Sequence, residues 1–297
     1  MSLSEQSRRS FLATAAAALA VPALTDSLAL AASASGLAAQ KAPQKPGAAG
    51  GLKLGVASYS LRKFTLDQTL DFLKEAKVQY INFKDVHIPR TDSPETMKAN
   101  RAKIEAAGLT IMGGGTITWD KPEEAAIRKD FEYAKAYGFP LIVCSPAPET
   151  LDIVEKMVKE YNIKIGIHNH GPEDKHYPKP QDALAVVKSR DARMGCCMDI
   201  GHATRGGADP VECVKILGPR LLDIHMKDLA DKSSRESQVE VGKGLLDIPG
   251  LFRALLKEKF AGHVGLEYEI NEASPQVGMK ESLSYERGVL AALMSTT

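Results

Sequence analysis

Beyond residue 51 the chain keeps returning to one pattern, a short apolar run followed by a longer stretch with helical spacing. The runs are "LKLGVASYS", "VQYINFKDV", "LTIMGGGTI", "FPLIVCSP", "IKIGIHNH", "MGCCMDIG", "LLDIHMKD" and "HVGLEYEI". Between them come "LDQTLDFLKEAK", "SPETMKANRAKIEAAG", "PEEAAIRKDFEYAKAYG" and "IPGLFRALLKEK". Ser93-Pro94 opens one of these helices, and Gly108 and Gly138 close two. Strands alternating with helices make βαβ units, and therefore a parallel sheet. Eight such strands predict an α/β fold, a (β/α)8 TIM barrel, as a single domain over residues 52–297. A doubly wound open sheet is the competing arrangement, but no run is followed by G-x-G-x-x-G. "MGGGT" at 112–116 lacks the Lys-Ser/Thr of a phosphate loop and is a weak candidate for one.

Composition narrows the partners. The 297 residues are 44% hydrophobic and carry a formal charge of +1, which gives ample core and no basic excess. A nucleic-acid partner is therefore not expected. Residues 1–40 read as a leader: "SRRSFLATAAAALAVPAL" sets Arg8 and Arg9 before an alanine-rich stretch, and "LALAASASGLAA" supplies small residues for cleavage. Pro22 and Asp26 break the apolar run well short of the roughly 20 residues a membrane span needs. The segment resembles the twin-arginine export signal, whose Ser-Arg-Arg, one variable residue, Phe-Leu pattern matches Ser7 to Leu12. That resemblance implies export of a folded chain to the periplasm, with no stable membrane span after processing. Residues 41–51, in "QKAPQKPGAAGG", read as a flexible linker. Cys144, Cys196, Cys197 and Cys213 show no CxxC spacing and are expected as buried free thiols.

Strand parity locates a site. Side chains alternate faces along a strand. In "IKIGIHNH", Ile163, Ile165 and Ile167 oppose Lys164, Gly166, His168 and His170. In "MGCCMDIG", Gly195, Cys197 and Asp199 oppose Cys196, Met198 and Ile200. In "LLDIHMKD", Asp223, His225 and Lys227 oppose Leu222, Ile224 and Met226, and in "HVGLEYEI" Gly265, Glu267 and Glu269 oppose Val264, Leu266 and Tyr268. The apolar faces suit packing under helices, so the other faces line the lumen. There His168, Asp199, His225 and Glu267 converge at strand ends, where barrel sites lie. Two imidazoles and two carboxylates suit Mn²⁺, Co²⁺, Zn²⁺ or Fe²⁺ rather than calcium. Burying those charges together costs several kcal/mol unless a cation compensates them.

These motifs resemble the xylose isomerase-like sugar isomerase/epimerase barrels, from about residue 52 to 293. The resemblance rests on "MDIGHA" with Asp199 and His202, "IHMKD" with His225, Lys227 and Asp228, and "LEYE" with Glu267, together with "VGKG" at 241–244 leading into "LLDIPGLFRALL". It implies one divalent metal ion (manganese, cobalt, zinc, iron or magnesium) that polarises a keto-sugar. It also implies two glutamates that bind the metal and move a proton beside the carbonyl. Glu267 matches the later glutamate. The earlier one falls on position 168, where this chain has histidine, an exchange that metal binding tolerates and symmetric two-glutamate shuttling does not. His168, if not a ligand, or His170 on the same face, can serve as a base near neutral pH. His202 matches a substrate-contacting histidine of the family. Lys227 is expected to touch substrate, with Asp228 capping or orienting it. Lys84 either donates to an enolate oxygen or a phosphate, or is solvated. Trp119 either stacks on a sugar face or fills a loop. His176 and His263 are assigned nothing.

The expected activity is metal-dependent enolisation of a keto-sugar, giving isomerisation or epimerisation with Glu267, His170 and Lys227 as the catalytic groups. Lyase or hydratase action on a 3-keto-glycoside or related oxidised sugar is the alternative. Endonuclease-like phosphodiester hydrolysis and a non-catalytic sugar-binding barrel are the remaining classes. Export counts against a phosphorylated substrate, and assembly into a homo-oligomer stays open.

Overall fold

The apolar runs become strands and the periodic segments become helices, in the predicted alternation. The structure is a computed structural model that describes residues 51–295. The predicted export signal, and the linker up to residue 50, lie outside the described residues. The barrel strands are β1 (Lys53–Ala57), β2 (Tyr80–Phe83), β3 (Thr110–Trp119), β4 (Leu141–Pro146), β5 (Lys164–His168), β6 (Met194–Asp199), β7 (Leu221–Met226) and β10 (His263–Leu266). All neighbours are parallel, and the ring closes in the order β1-β10-β7-β6-β5-β4-β3-β2. Around it lie α1 (Leu66–Glu75), α2 (Pro94–Ala106), α3 (Glu124–Tyr137), α4 (Leu151–Tyr161), α5 (Pro180–Val187), α6 (Ile200–Arg205), α7 (Pro210–Leu217), α8 (Ile248–Lys257) and α9 (Gln276–Ser295). None of the described helices is long and apolar enough to cross a membrane.

Local chemistry sets the helix starts. Thr65 and Gln68 form a reciprocal capping box on α1, and the Ser93 hydroxyl caps α2 ahead of Pro94. Ile165, Ile167, Cys196, Met198, Ile224, Met226, Val264 and Leu266 enter the main core beneath the helices, as parity requires. Residues of the opposite parity on β4 and β6, namely Leu141, Val143 and Cys197, pack separately in the lumen. Leu222 departs from the parity reading. The β6–β7 register shifts between Cys196 and Cys197, and Leu222 joins that lumenal cluster. All four cysteines are buried and free.

"MGGGT" forms no phosphate loop. It is strand, with the β3–β4 register broken between Gly114 and Ile117. A Cβ at Gly114 would stand 1.9 Å from the Phe139 ring, and Gly115 has φ +113°. The glycines therefore serve close packing and a bulge. A two-stranded ribbon that the sequence reading lacked, β8 (Asp228–Leu229) with β9 (Gln238–Val239), rises from the end of β7. It stands beside the C-terminal rim, where the candidate site lies.

Candidate metal centre and active site

Adjacent strands deliver the four predicted ligands. His168 lies opposite Cys197 across β5–β6, and Asp199 lies opposite His225 across β6–β7. Glu267 follows β10 immediately, its N–H bonded to the Met226 carbonyl at 3.0 Å. The four side chains are buried, and one ligand atom from each lies within 4.8 Å of the others. His168 Nε2 is 2.8 Å from His225 Nδ1 and 3.7 Å from Asp199 Oδ2, and His225 Nδ1 is 3.0 Å from Glu267 Oε2. Atoms sharing one ion at about 2.1 Å stand roughly 3–3.5 Å apart, so this spacing is that of a coordination shell. His225 Nδ1 thus lies within hydrogen-bond distance of both His168 Nε2 and Glu267 Oε2. Meanwhile the buried His168 Nδ1 and His225 Nε2 have no hydrogen-bond partner among the described residues. The donor set can hold one divalent ion.

Local bonds fix these groups. Asp199 caps α6: its Oδ1 accepts the His202 N–H at 2.8 Å, which leaves Oδ2 for the site. Asn169, between the two histidines of "HNH", donates to the Asp199 carbonyl and accepts the Asp199 N–H, both at 3.0 Å.

The charges are partly balanced from within. Lys227 Nζ lies 3.0 Å from Asp199 and 3.2 Å from Glu267, and it also contacts Glu269. Lys84 Nζ lies 3.3 Å from Glu267 and donates to the Thr116 hydroxyl at 3.0 Å. The buried carboxylates alone would call for a compensating cation. With both lysines included, three carboxylates face two ammonium groups, and one negative charge remains. Burial pushes Glu267 up, but His225, Lys227 and Lys84 together hold it well below the usual carboxylate range. Asp199 is lowered in the same way against its burial, by His202 and Lys227. Burial, helped by the neighbouring His170 and His225, drives His168 well below an ordinary imidazole, so it is neutral and suited to ligation.

A profile of the xylose isomerase-like TIM barrel family matches residues 70–287. The chain belongs to this family. A 3-oxo-isoapionate decarboxylase from Pectobacterium atrosepticum is 28% identical over 33% of this chain and 36% of that protein. An inosose dehydratase from Mesomycoplasma hyopneumoniae is 23% identical over 46% of this chain and 51% of that protein. The chain thus spans between a third and about half of these curated relatives. Among solved structures, an L-ribulose 3-epimerase superposes with a TM-score of 0.69 at 14% identity, over 82% of this chain and 96% of that one. An uncharacterised protein from Parabacteroides distasonis gives 0.63 at 24% identity, over 80% and 98%. These likenesses confirm the barrel.

Above the four converged side chains a polar cleft opens. Its inner part, about 320 Å³, is lined by Tyr59, Lys84, Thr116, His168, His170, His202, Glu267 and Glu269. An outer part of about 550 Å³ shares Tyr59, His170, His202 and Glu269 and adds Arg62, Arg205, Lys227 and Arg235. His170 sits as parity anticipated: its ring is 4.3 Å from that of His168 and is 38% exposed, against 3% for His168. Its Nδ1 lies 3.0 Å from Asp174 Oδ2. Lys84 is buried at the site and is not a solvated surface group.

Two expectations are corrected. Trp119 lines neither part of the cleft: it is buried, donates to Asp130 at 2.8 Å and stacks on Phe131 of α3. Asp228 does not serve Lys227. Its carboxylate accepts four backbone N–H groups, from Leu229, Gly242, Gly244 and Leu246, and so holds the loop carrying "VGKG". Beneath the site, Asn82 donates to Asp223 at 3.0 Å and the buried His263 stands 3.2 Å from the same carboxylate. Sequence reasoning left Tyr59, Thr116, Asn169, Gln238 and Glu269 without roles. Only Glu269 carried a signal, its shared parity with Glu267.

Proposed function

We propose that this barrel is a divalent-metal-dependent enzyme that enolises a keto-sugar. The observation that carries the reading is the convergence of His168, Asp199, His225 and Glu267 beneath a cleft lined by lysine, histidine and carboxylate groups. A bound cation would act as a Lewis acid on the substrate carbonyl. Glu267 takes the proton from the adjacent carbon, and the C–H electron pair moves toward the carbonyl oxygen. Lys84 and Lys227 stabilise the charge gathering on that oxygen, and His170, exposed to the cleft, delivers a proton. Protonation of the same carbon from the opposite face gives epimerisation; protonation of the former carbonyl carbon, as the neighbouring hydroxyl loses its proton and becomes the new carbonyl, gives isomerisation.

A second outcome, expulsion of a leaving group one carbon further on, is favoured by a specific feature. Position 168 is a neutral histidine, so the pair of glutamates that a symmetric shuttle uses is not present. A dehydratase among the similar proteins supports this outcome. The twin-arginine pattern supports placing this chemistry outside the cytoplasm, on an unphosphorylated sugar.

Deuterium wash-in from solvent, measured across keto-sugars and 3-keto-glycosides with the metal-analysed protein, tests the reading. The expected result is exchange at the carbon beside the carbonyl, lost in Glu267→Gln. Binding without exchange or turnover on any substrate leaves a sugar-binding barrel and overturns the enzyme assignment.

A further inference from the structure

The carboxylates of Glu267 and Glu269 stand on backbone that is no longer strand. The strand β10 ends at Leu266, and its neighbour β7 ends at Met226 before the chain turns into the ribbon. Residues 267–269 would leave the barrel rim with few ladder bonds. Side chains supply them instead. On one edge the Ser60 hydroxyl accepts the Tyr268 N–H at 2.9 Å and lies 3.1 Å from the Leu266 carbonyl. On the other edge Gln238 donates through Nε2 to the Glu267 carbonyl at 2.7 Å and accepts the Glu269 N–H through Oε1 at 2.8 Å.

The Gln238 pattern is specific. In a parallel ladder one residue donates its N–H to the carbonyl before, and accepts at its C=O from the N–H after, the residue it faces. The Gln238 carboxamide does the same across Tyr268, as a side-chain copy of a missing strand. Gln238 is itself placed by its pairing with Leu229 in the ribbon, whose loop is tied to Asp228. Asn169 likewise braces backbone with its carboxamide, there through the N–H and the carbonyl of the single residue Asp199. We propose that Gln238 is a positioning residue: its carboxamide holds the Glu267–Glu269 backbone so that both carboxylates face the cleft. Catalytic groups need placement within about 0.5 Å, and loss of such outer supports commonly costs 10–100-fold in metal affinity or activity. The kinetic part of this inference rests on the enzyme reading given above.

Gln238→Met keeps the length of the side chain and removes both bonds. Gln238→Glu keeps the acceptor for the Glu269 N–H and loses the donor. Hydrogen exchange of the Glu269 amide, Mn²⁺ titration, and kcat and KM on an exchanging keto-sugar are measured on each. The wild-type amide should be protected, and Gln238→Met should lose that protection. Gln238→Met should also bind Mn²⁺ about tenfold more weakly and lose about tenfold in kcat, with KM within threefold. Gln238→Glu should keep the amide protected. An unprotected amide in the wild type overturns the proposal, as does a Gln238→Met protein with wild-type Mn²⁺ affinity and kcat. Should Gln238→Met fail to fold, wild-type and Gln238→Glu exchange decide. A wild type without metal binding or turnover sinks the enzyme reading, and the exchange pattern still tests the brace.

Discussion

His168 and His170 have different work although they lie only two positions apart. His168 is buried with a nitrogen at ligand distance from its neighbours, whereas His170 is exposed to the cleft and bonded to Asp174. His168→Ala should lower metal affinity at least about tenfold. His170→Ala should keep wild-type metal content and lose about 10²-fold in kcat. Metal analysis beside steady-state rates separates the two, and equal metal content in both variants would remove His168 from the ligand set. The aromatic candidates divide similarly. Trp119→Phe loses the bond to Asp130 and should cost about 1 kcal/mol of stability with KM unchanged. Tyr59, 38% exposed and lining both parts of the cleft, is the ring that Tyr59→Ala should show in KM. Denaturant melts and saturation curves on both variants check this. The legibility of these residues followed the regularity of their strands. Counting by twos succeeds from Ile165 to His168 because β5 has no bulge. Trp119 has no such count behind it: β3 runs on through Trp119 after breaking register between Gly114 and Ile117, so the residue is strand rather than the expected loop.

At the scale of elements, α9 carries a buried acid that has no partner among the described residues. Glu286 is fully buried, both its oxygens lack a hydrogen-bond partner there, and burial pushes its carboxyl up to about 8, against a smaller pull from Arg287. A folded-state pKa above the unfolded value means the native state holds the proton more tightly. Stability is therefore full below about pH 4.5 and is lost as pH rises toward 8. The loss above pH 8 is on the order of 5 kcal/mol from this group. Glu286→Gln should raise the melting temperature at pH 8 and leave it nearly unchanged at pH 4.5. A pH-independent difference would show that Glu286 is ionised or paired in the folded protein. The ribbon makes the opposite lesson for reading sequence. Its strands hold two residues each, too short for any alternation to register, and Asp228 organises it through contacts up to 18 residues away in sequence.

For the whole molecule, the twin-arginine reading makes a prediction independent of the barrel. Arg8→Lys with Arg9→Lys should leave the protein folded in the cytoplasm, measured by fractionation and immunoblot. An unchanged periplasmic yield would refute that route. Barrel and candidate site do not depend on this outcome, since every residue lining the cleft lies between Tyr59 and Ile270.

Sequence alone determined the eightfold strand–helix alternation, the parallel barrel it demands, and the shared lumenal face of His168, Asp199, His225 and Glu267. All of these follow from short-range periodicity, which a chain displays before it folds. Only the tertiary structure decided how the site's charge is balanced, which aromatic meets the cleft, and what holds the strand ends. Lys84 meets Glu267 across 183 residues of sequence, and Ser60 meets Tyr268 across 208. Such contacts are products of barrel closure, which brings β1 against β10, and no local pattern encodes them.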